Sequence, residues 1–217
     1  MSSGNFPEVA TLPCDRFSAR EPSGKLLVVL HGRGDSSAGF HWLPAALQLR
    51  GLDYLIPNAP DDYYGGRSWY EMAPNQGPGV RRSRRLLDQL FDELLQSGRR
   101  ASDIALLGFS QGCLMTLEWG IRSPLKLAAY VGISGYCLDP SLLLREKHDP
   151  FVAPNWLITH GTDDEVLPFE TTRLQMEELA EGGIQLRFES FAKGHTIEPH
   201  KELPMLRRFI GERLGLL

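Results

Sequence analysis

Several things are scarce in this chain of 217 residues, and each scarcity excludes a class of protein. Cysteine occurs three times, as Cys14, Cys113 and Cys137, an odd number without CxxC spacing, so neither a disulfide framework nor a zinc site is indicated. That usage fits a reducing, cytoplasmic setting. No apolar run approaches the roughly 18 residues of a membrane span, and Met1 to Pro13 lacks the basic start and apolar centre of a secretory signal. Neither sign of charge dominates: 23 Lys and Arg stand against 27 Asp and Glu, a formal net charge of −4. Nucleic acid is therefore not an expected partner, because phosphate affinity rests on clustered cations. The one basic cluster, Arg81-Arg82-Ser83-Arg84-Arg85, is followed by Asp88, Asp92 and Glu93 and reads as a solvated helix face. The histidines are scattered without metal-ligand spacing, so no metal or cofactor is expected. Internal repeats and linkers are absent too, and the length predicts one domain over 1–217, with 1–24 as an N-terminal extension or edge strand. Monomer and homodimer both remain open.

What is present is an alternation of two periods. Lys25 to Leu30 is a short continuous apolar run, which reads as a strand buried on both faces. Similar runs lie at 54–56, 104–109, 128–133 and 156–159, while 185–191 alternates polar and apolar residues as an edge strand does. Between them, Leu86, Leu87, Leu90, Phe91, Leu94 and Leu95 follow helical spacing with charge on the opposite face. Leu203, Leu206, Phe209, Ile210 and Leu214 repeat that pattern, 171–179 repeats it weakly, and 113–121 is apolar nearly all round. Strand and helix in alternation predict an α/β fold, a mainly parallel sheet with helices on both faces. One segment breaks the pattern. Residues 57–79 are rich in Pro and Gly and carry Tyr63, Tyr64, Trp69 and Tyr70, which makes this long loop a candidate pocket wall and Trp69 and Tyr70 candidate substrate-binding residues.

Gly108-Phe109-Ser110-Gln111-Gly112 fits G-x-S-x-G, with a buried strand directly before it and a buried helix directly after. A sharp strand-to-helix turn lifts the serine oxygen above the sheet, and small flanking residues are needed where the backbones crowd. Ser110 is thus the candidate nucleophile. Serine needs a base within hydrogen-bond reach and a carboxylate to orient that base, and on this scaffold the chain order is Ser, acid, His. His148 and His160 come too early for an acid to precede them, and His200 reads as an exposed helix residue. His195, after the last strand and before the C-terminal helix, is the candidate base. The acid belongs in the loop after 156–159, where Asp163, Asp164 and Glu165 are consecutive and chemistry alone does not choose among them.

Leu30-His31-Gly32-Arg33-Gly34-Asp35, Gly108-Phe109-Ser110-Gln111-Gly112, His160-Gly161-x-x-Asp164-x-x-Leu167-Pro168 and Gly194-His195 resemble, in order and spacing, the phospholipase/carboxylesterase branch of α/β-hydrolases. That branch includes acyl-protein thioesterases and bacterial carboxylesterases, and the likeness runs from about Lys25 to the C-terminus. It implies Asp164 as the acid, with Leu167 in place of the usual valine. It also implies an oxyanion hole made by the backbone N–H groups of Gln111 and Arg33, which suits the unpartnered first N–H of a helix. Because those donors are backbone groups, changing either side chain should cost less than losing Ser110. Arg33 departs from the apolar residue common in the family. Its guanidinium would favour short, polar or anionic substrates, unless it points to solvent or pairs with Asp35 or Asp61. His31 reads as structural, Cys113 and Cys137 as buried, and Gly32-x-Gly34 as too short for a dinucleotide motif.

The implied function is hydrolysis of carboxylic esters of short to medium acyl chain by an acyl-enzyme on Ser110, with acyl-protein thioesterase or lysophospholipase as the rival activities. A non-catalytic, ligand-binding scaffold is the rival of another class. The 54 residues between Ser110 and Asp164 already hold one strand and the variable stretch 139–155, so no large cap domain is expected and the site should be shallow and open.

Overall fold

The computed structural model describes residues 9–148 and 155–217. Residues 1–8 of the expected N-terminal extension and 149–154 of the variable stretch lie outside the described residues. In chain order the elements are β1 (Cys14–Phe17), β2 (Lys25–Leu30), α1 (Leu43–Leu47), β3 (Leu52–Pro57), β4 (Asp61–Tyr63), β5 (Gly66–Ser68) and α2 (Gln76–Gln96). They continue with β6 (Ile104–Phe109), α3 (Gln111–Gly120), β7 (Ala129–Ile133), α4 (Pro140–Arg145), β8 (Trp156–Gly161), α5 (Phe169–Glu181), β9 (Leu186–Phe191) and α6 (Glu202–Leu214).

Seven strands form one sheet in the order β1-β3-β2-β6-β7-β8-β9. All neighbours are parallel except β1, which pairs antiparallel with β3 through Cys14 to Phe17. The strands that read as continuous apolar runs are central, and the alternating one, β9, is an edge, because only an edge strand keeps polar side chains wet. Period-2 geometry sends Leu26, Val28 and Leu30 into one core with α2, α3 and α5, and Leu27 and Val29 into the other with α1 and α6. Each buried leucine of α2, such as Leu87 or Leu90, contributes about 1.5–3 kcal/mol. Phe91 adds a stack on Trp119, ring centres 4.0 Å apart.

Two regions depart from the expected pattern. Helix α2 begins at Gln76, ahead of its first periodic leucine, because its first turns pack through small residues. A Cβ on Gly79 would come 2.8 Å from the Tyr70 Cβ, and the buried Ser83 donates its hydroxyl to the Trp69 carbonyl. Hydrophobic periodicity has no signal for such a face. The long loop also contains a hairpin, β4 and β5, whose tip residues Tyr64 and Gly65 both take positive φ, 45° and 87°, as a tight two-residue turn requires. That hairpin is fastened to the end of β2: the N–H of Gly34 donates to the Arg67 carbonyl and the N–H of Arg67 to the Asp35 carbonyl, both 2.8 Å.

The chain leaves β2 for β3 on one side and later returns to β6 on the other. The crevice between the carboxyl ends of β2 and β6 is therefore the topological switch point, where open α/β sheets bind ligands. Arg33 and Ser110 sit at those two strand ends.

Candidate active site

Ser110 joins β6 to α3 with φ 53° and ψ −115°, a conformation that costs a non-glycine residue about 1–3 kcal/mol. The surroundings hold it there: its N–H donates 2.9 Å to the Ile133 carbonyl, and its own carbonyl accepts from Cys113 and Leu114 in the first turn of α3. The glycines either side are a steric necessity. A Cβ on Gly108 would lie 2.0 Å from the Gly112 oxygen, and one on Gly112 would lie 2.1 Å from the Leu30 oxygen. The turn places Ser110 Oγ 3.0 Å from His195 Nε2.

His195 comes from the loop between β9 and α6, and its Nδ1 is 2.8 Å from Asp164 Oδ2. A carboxylate only accepts, so Nδ1 carries the proton and Nε2 offers its lone pair to the serine hydroxyl. Asp164 is itself aimed: its Oδ1 accepts from the N–H groups of Val166 at 2.9 Å and Leu167 at 2.8 Å. Burial alone would raise this carboxyl, but those N–H groups and His195 together hold it below its ordinary value. The imidazole side chain stays 15% exposed while the carboxylate is sealed, so the reactive end faces outward.

The backbone N–H groups of Arg33 and Gln111 have no acceptor among the described residues. Gln111 has a further role that its position in the motif did not signal. Its side-chain oxygen accepts from Trp69 N–H at 3.0 Å and Ser68 Oγ at 3.1 Å, while its amide nitrogen donates to the Tyr70 carbonyl at 2.9 Å. The other donor strand end is braced by His31, whose Nδ1–H donates to Gly32 O at 2.7 Å and whose Nε2 accepts from Ala59 N–H at 3.0 Å. Burial lowers the His31 pKa and keeps it neutral, as that bonding pattern demands.

A buried ion pair underlies the His195 loop. Lys193 Nζ lies 2.6 and 2.7 Å from the two Glu202 oxygens and donates 2.7 Å to the Thr196 carbonyl. The two side chains are 2% and 0% exposed. The backbone of Lys193 also accepts from Asp163 N–H at 3.1 Å, so one residue ties the acid loop to the histidine loop. Neither Lys193 nor Glu202 stood out in the sequence; a glutamate on an otherwise amphipathic helix looks like surface until its partner is seen.

The remaining candidates separate. Trp69 and Tyr70 are fully buried and do not form a pocket wall: the Trp69 indole donates to His31 O at 2.9 Å, and Tyr70 packs in the core beneath α2. The expectation fails because aromatic loop residues can serve as core when the loop folds back over the sheet. Arg33 is exposed and pairs with neither Asp35 nor Asp61; its guanidinium lies 5.1 Å over the Tyr63 ring, and Asp61 is taken by Arg82. Asp163 and Glu165 are exposed, as are His148 and His200. His160 is buried, is kept neutral by burial, and donates from Nε2 to Leu167 O at 2.9 Å. Cys113 and Cys137 are buried thiols, that of Cys113 pushed up to about 12.

The chain matches the family model described as phospholipase/carboxylesterase over residues 17–213. It is 32% identical over 213 residues to acyl-protein thioesterase 1 of Aspergillus fumigatus, covering 85% of this chain and 86% of that protein. To carboxylesterase SOBER1 of Arabidopsis thaliana it is 25% identical over 203 residues, 85% of this chain and 89% of that one. The crystal structure of esterase PE8 superposes with a TM-score of 0.82 at 28% identity, covering 94% of this chain and 99% of that one. The expected architecture, a mainly parallel α/β-hydrolase sheet without a large cap, agrees with that likeness. The chain therefore belongs to the phospholipase/carboxylesterase family of α/β-hydrolases and is a hydrolase.

Proposed function

We propose that this hydrolase cleaves carboxylic esters of short to medium acyl chain through an acyl-enzyme on Ser110. The observation that carries the reading is the unbroken relay from Asp164 Oδ2 to His195 Nδ1 at 2.8 Å and from His195 Nε2 to Ser110 Oγ at 3.0 Å. His195 takes the serine proton as Oγ attacks the ester carbonyl, and the resulting imidazolium is stabilised by Asp164. The oxyanion is received by the N–H groups of Arg33 and Gln111, donors whose individual loss typically costs about 10²- to 10³-fold. His195 then protonates the departing alkoxide. In the second half-reaction it deprotonates a water that attacks the acyl-enzyme, and Ser110 is regenerated with release of the acid.

Short to medium acyl chains are supported by the burial of Trp69 and Tyr70, which leaves those rings no surface to offer a long chain. Among the described residues no helix is long and apolar enough to cross a membrane, and all three cysteines are free, which supports a cytoplasmic small-molecule esterase. The relatives named acyl-protein thioesterase favour a second reading, acyl-thioester hydrolysis, which the same relay serves. Labelling by a serine-directed fluorophosphonate tests the core of the proposal. Wild type should label and Ser110→Ala should not; equal labelling, or none, would leave only a binding scaffold. A panel of short esters, long-chain acyl thioesters and lysolipids then ranks the activities, with short esters expected first.

A further inference from the structure

The Arg33 side chain is a cation without a counter-ion at the mouth of the site. It leaves the same Cα that carries a candidate oxyanion N–H, it is exposed, and among the described residues it makes no ion pair. Its neighbours behave otherwise. Arg67 is paired with Asp62 at 2.6 Å and Arg82 with Asp61, while Asp35 Oδ1 accepts from Ser36 N–H at 2.8 Å. Arg33 instead lies on the Tyr63 ring, which meets Tyr64 edge to face with centres 4.9 Å apart. An aromatic platform orients a guanidinium without neutralising it, so the charge remains available.

A second donor stands at the other flank of Ser110. Strand β6, which carries the serine, lies between β2 and β7, with Leu30 opposite Gly108 and Ile133 opposite Phe109. Arg33 is three residues beyond Leu30, and Tyr136 is three residues beyond Ile133. The intervening Gly135 is pressed against the elbow, since a Cβ there would be 2.3 Å from the Cys113 Cβ and 2.9 Å from the Ser110 carbonyl oxygen. The Tyr136 hydroxyl is 2.6 Å from Gln76 Nε2 and 3.1 Å from the Tyr70 hydroxyl. Gln76 donates. Tyr70 is fully buried and its hydroxyl has no other acceptor among the described residues, so it must donate as well. Both lone pairs of Tyr136 are then occupied and its own proton is left to point at a ligand. Burial raises the Tyr136 hydroxyl pKa and the charge of Arg33 pulls against it, so the cation lies within electrostatic reach of that hydroxyl. The loop that carries Asp164, by contrast, also carries the exposed acids Asp163 and Glu165.

We propose that Arg33 and Tyr136 form a carboxylate subsite beside Ser110, so that the preferred substrates are esters carrying a free carboxylate a short distance from the scissile bond. This rests on the ester-hydrolase reading above and names its substrate class. The subsite supplies two donors and one full positive charge on a rigid platform.

The test compares each anion with its neutral isostere. On the acyl side the pair is the p-nitrophenyl hemiester of glutaric acid against p-nitrophenyl methyl glutarate. On the alcohol side it is 4-acetoxybenzoate against its methyl ester. In at least one pair, kcat/KM for the anion should exceed that for the neutral ester by about tenfold or more, the factor one charge-assisted hydrogen bond supplies. Which pair shows it tells on which side of the bond the carboxylate sits. The preference should shrink with added salt, collapse to near unity in Arg33→Gln, and fall several-fold in Tyr136→Phe. Equal rates within both pairs for wild type, or a preference that survives Arg33→Gln, would overturn the subsite while leaving ester hydrolysis intact. Turnover of neither member of either pair would overturn both.

Discussion

Replacing Lys193 by Met removes an ammonium from a site where it is 2.6 and 2.7 Å from both oxygens of Glu202 and 2.7 Å from the Thr196 carbonyl. Burial pushes the lysine pKa down against the pull of Glu202, the mark of a cation held in place by its partner. Breaking a buried pair by deleting one member costs about 3–5 kcal/mol, because the survivor is left as an uncompensated charge. Here Glu202 keeps one backbone donor, Glu198 N–H at 2.7 Å, which places the expected loss toward the lower end of that range. For a chain of this size each kcal/mol moves the thermal midpoint by about 2–4 °C, so a loss of about 3 kcal/mol should make Lys193→Met melt about 6–12 °C below wild type. Activity has a separate dependence. Thr196 directly follows His195, and losing its tether lets the imidazole drift; a misplacement near 1 Å can cost about 100-fold. The double variant Lys193→Met/Glu202→Gln separates the two effects. It removes the orphaned charge and should recover most of the stability, while kcat per site titrated with fluorophosphonate stays depressed. Urea unfolding, melting and titrated turnover of the three proteins decide the matter. A melting shift below about 2 °C for Lys193→Met would refute the energetics, and full recovery of kcat in the double variant would refute the positioning role.

Other outcomes follow from the same geometry. Asp164→Asn should keep the fold but present an amide to His195 Nδ1, disfavour the productive tautomer and lower kcat by about 10³- to 10⁴-fold with little change in KM, measured by steady-state kinetics. Gly112→Ala should fail to accumulate as folded protein, since its Cβ would sit 2.1 Å from the Leu30 carbonyl oxygen, backbone that cannot step aside. The alkaline limb of stability is set by acids whose folded pKa is raised by burial: the half-buried Cys14 and the buried Cys113 and Tyr130 to about 12, with Cys137, Tyr54 and Tyr70 also raised. Their contribution is complete below the ordinary thiol value of 9.0 and is lost as pH climbs from there toward the folded values, because the unfolded chain sheds protons that the folded one keeps. Urea midpoints should therefore fall steadily from pH 8.5 to 10.5, and Ellman's reagent at pH 8 should find the two buried thiols, Cys113 and Cys137, silent until denaturant is added.

What could be read from the sequence was whatever local chemistry dictates. The central strands were legible because burial on both faces demands unbroken apolar runs, as in Leu26 to Leu30, and the elbow because crowded backbones admit only Gly108 and Gly112. The relay of Ser110, Asp164 and His195 was legible from chain order, with the choice of Asp164 among three acids supplied by resemblance alone. In the structure that choice has a local cause: Asp164 is the one whose carboxylate is buried and caps the N–H groups of Val166 and Leu167. The failures share a cause as well. Trp69, Tyr70 and Gln111 act through partners distant in sequence, Gln111 lying more than forty residues from Trp69, and Lys193 looks like surface until the loop folds it onto Glu202, nine residues on.

Those distant contacts explain how a costly serine conformation is sustained. Ser110 is held by strand ends on both sides: β7 takes its N–H at Ile133, and β2 meets Gly112 at Leu30. The loop over it is locked by the Gln111 amide, which satisfies a donor at Trp69 and an acceptor at Tyr70 in one step. Truncating Gln111 would therefore strand the buried Trp69 N–H, at about 1–3 kcal/mol, leave the Tyr70 carbonyl with the Ser68 hydroxyl alone, and loosen the segment whose Tyr70 hydroxyl orients Tyr136. The residue that follows Ser110 thus connects the proposed oxyanion position to the carboxylate subsite proposed for Arg33 and Tyr136. Substitution there should depress turnover and charge preference together, whereas a pure backbone donor would leave the preference untouched.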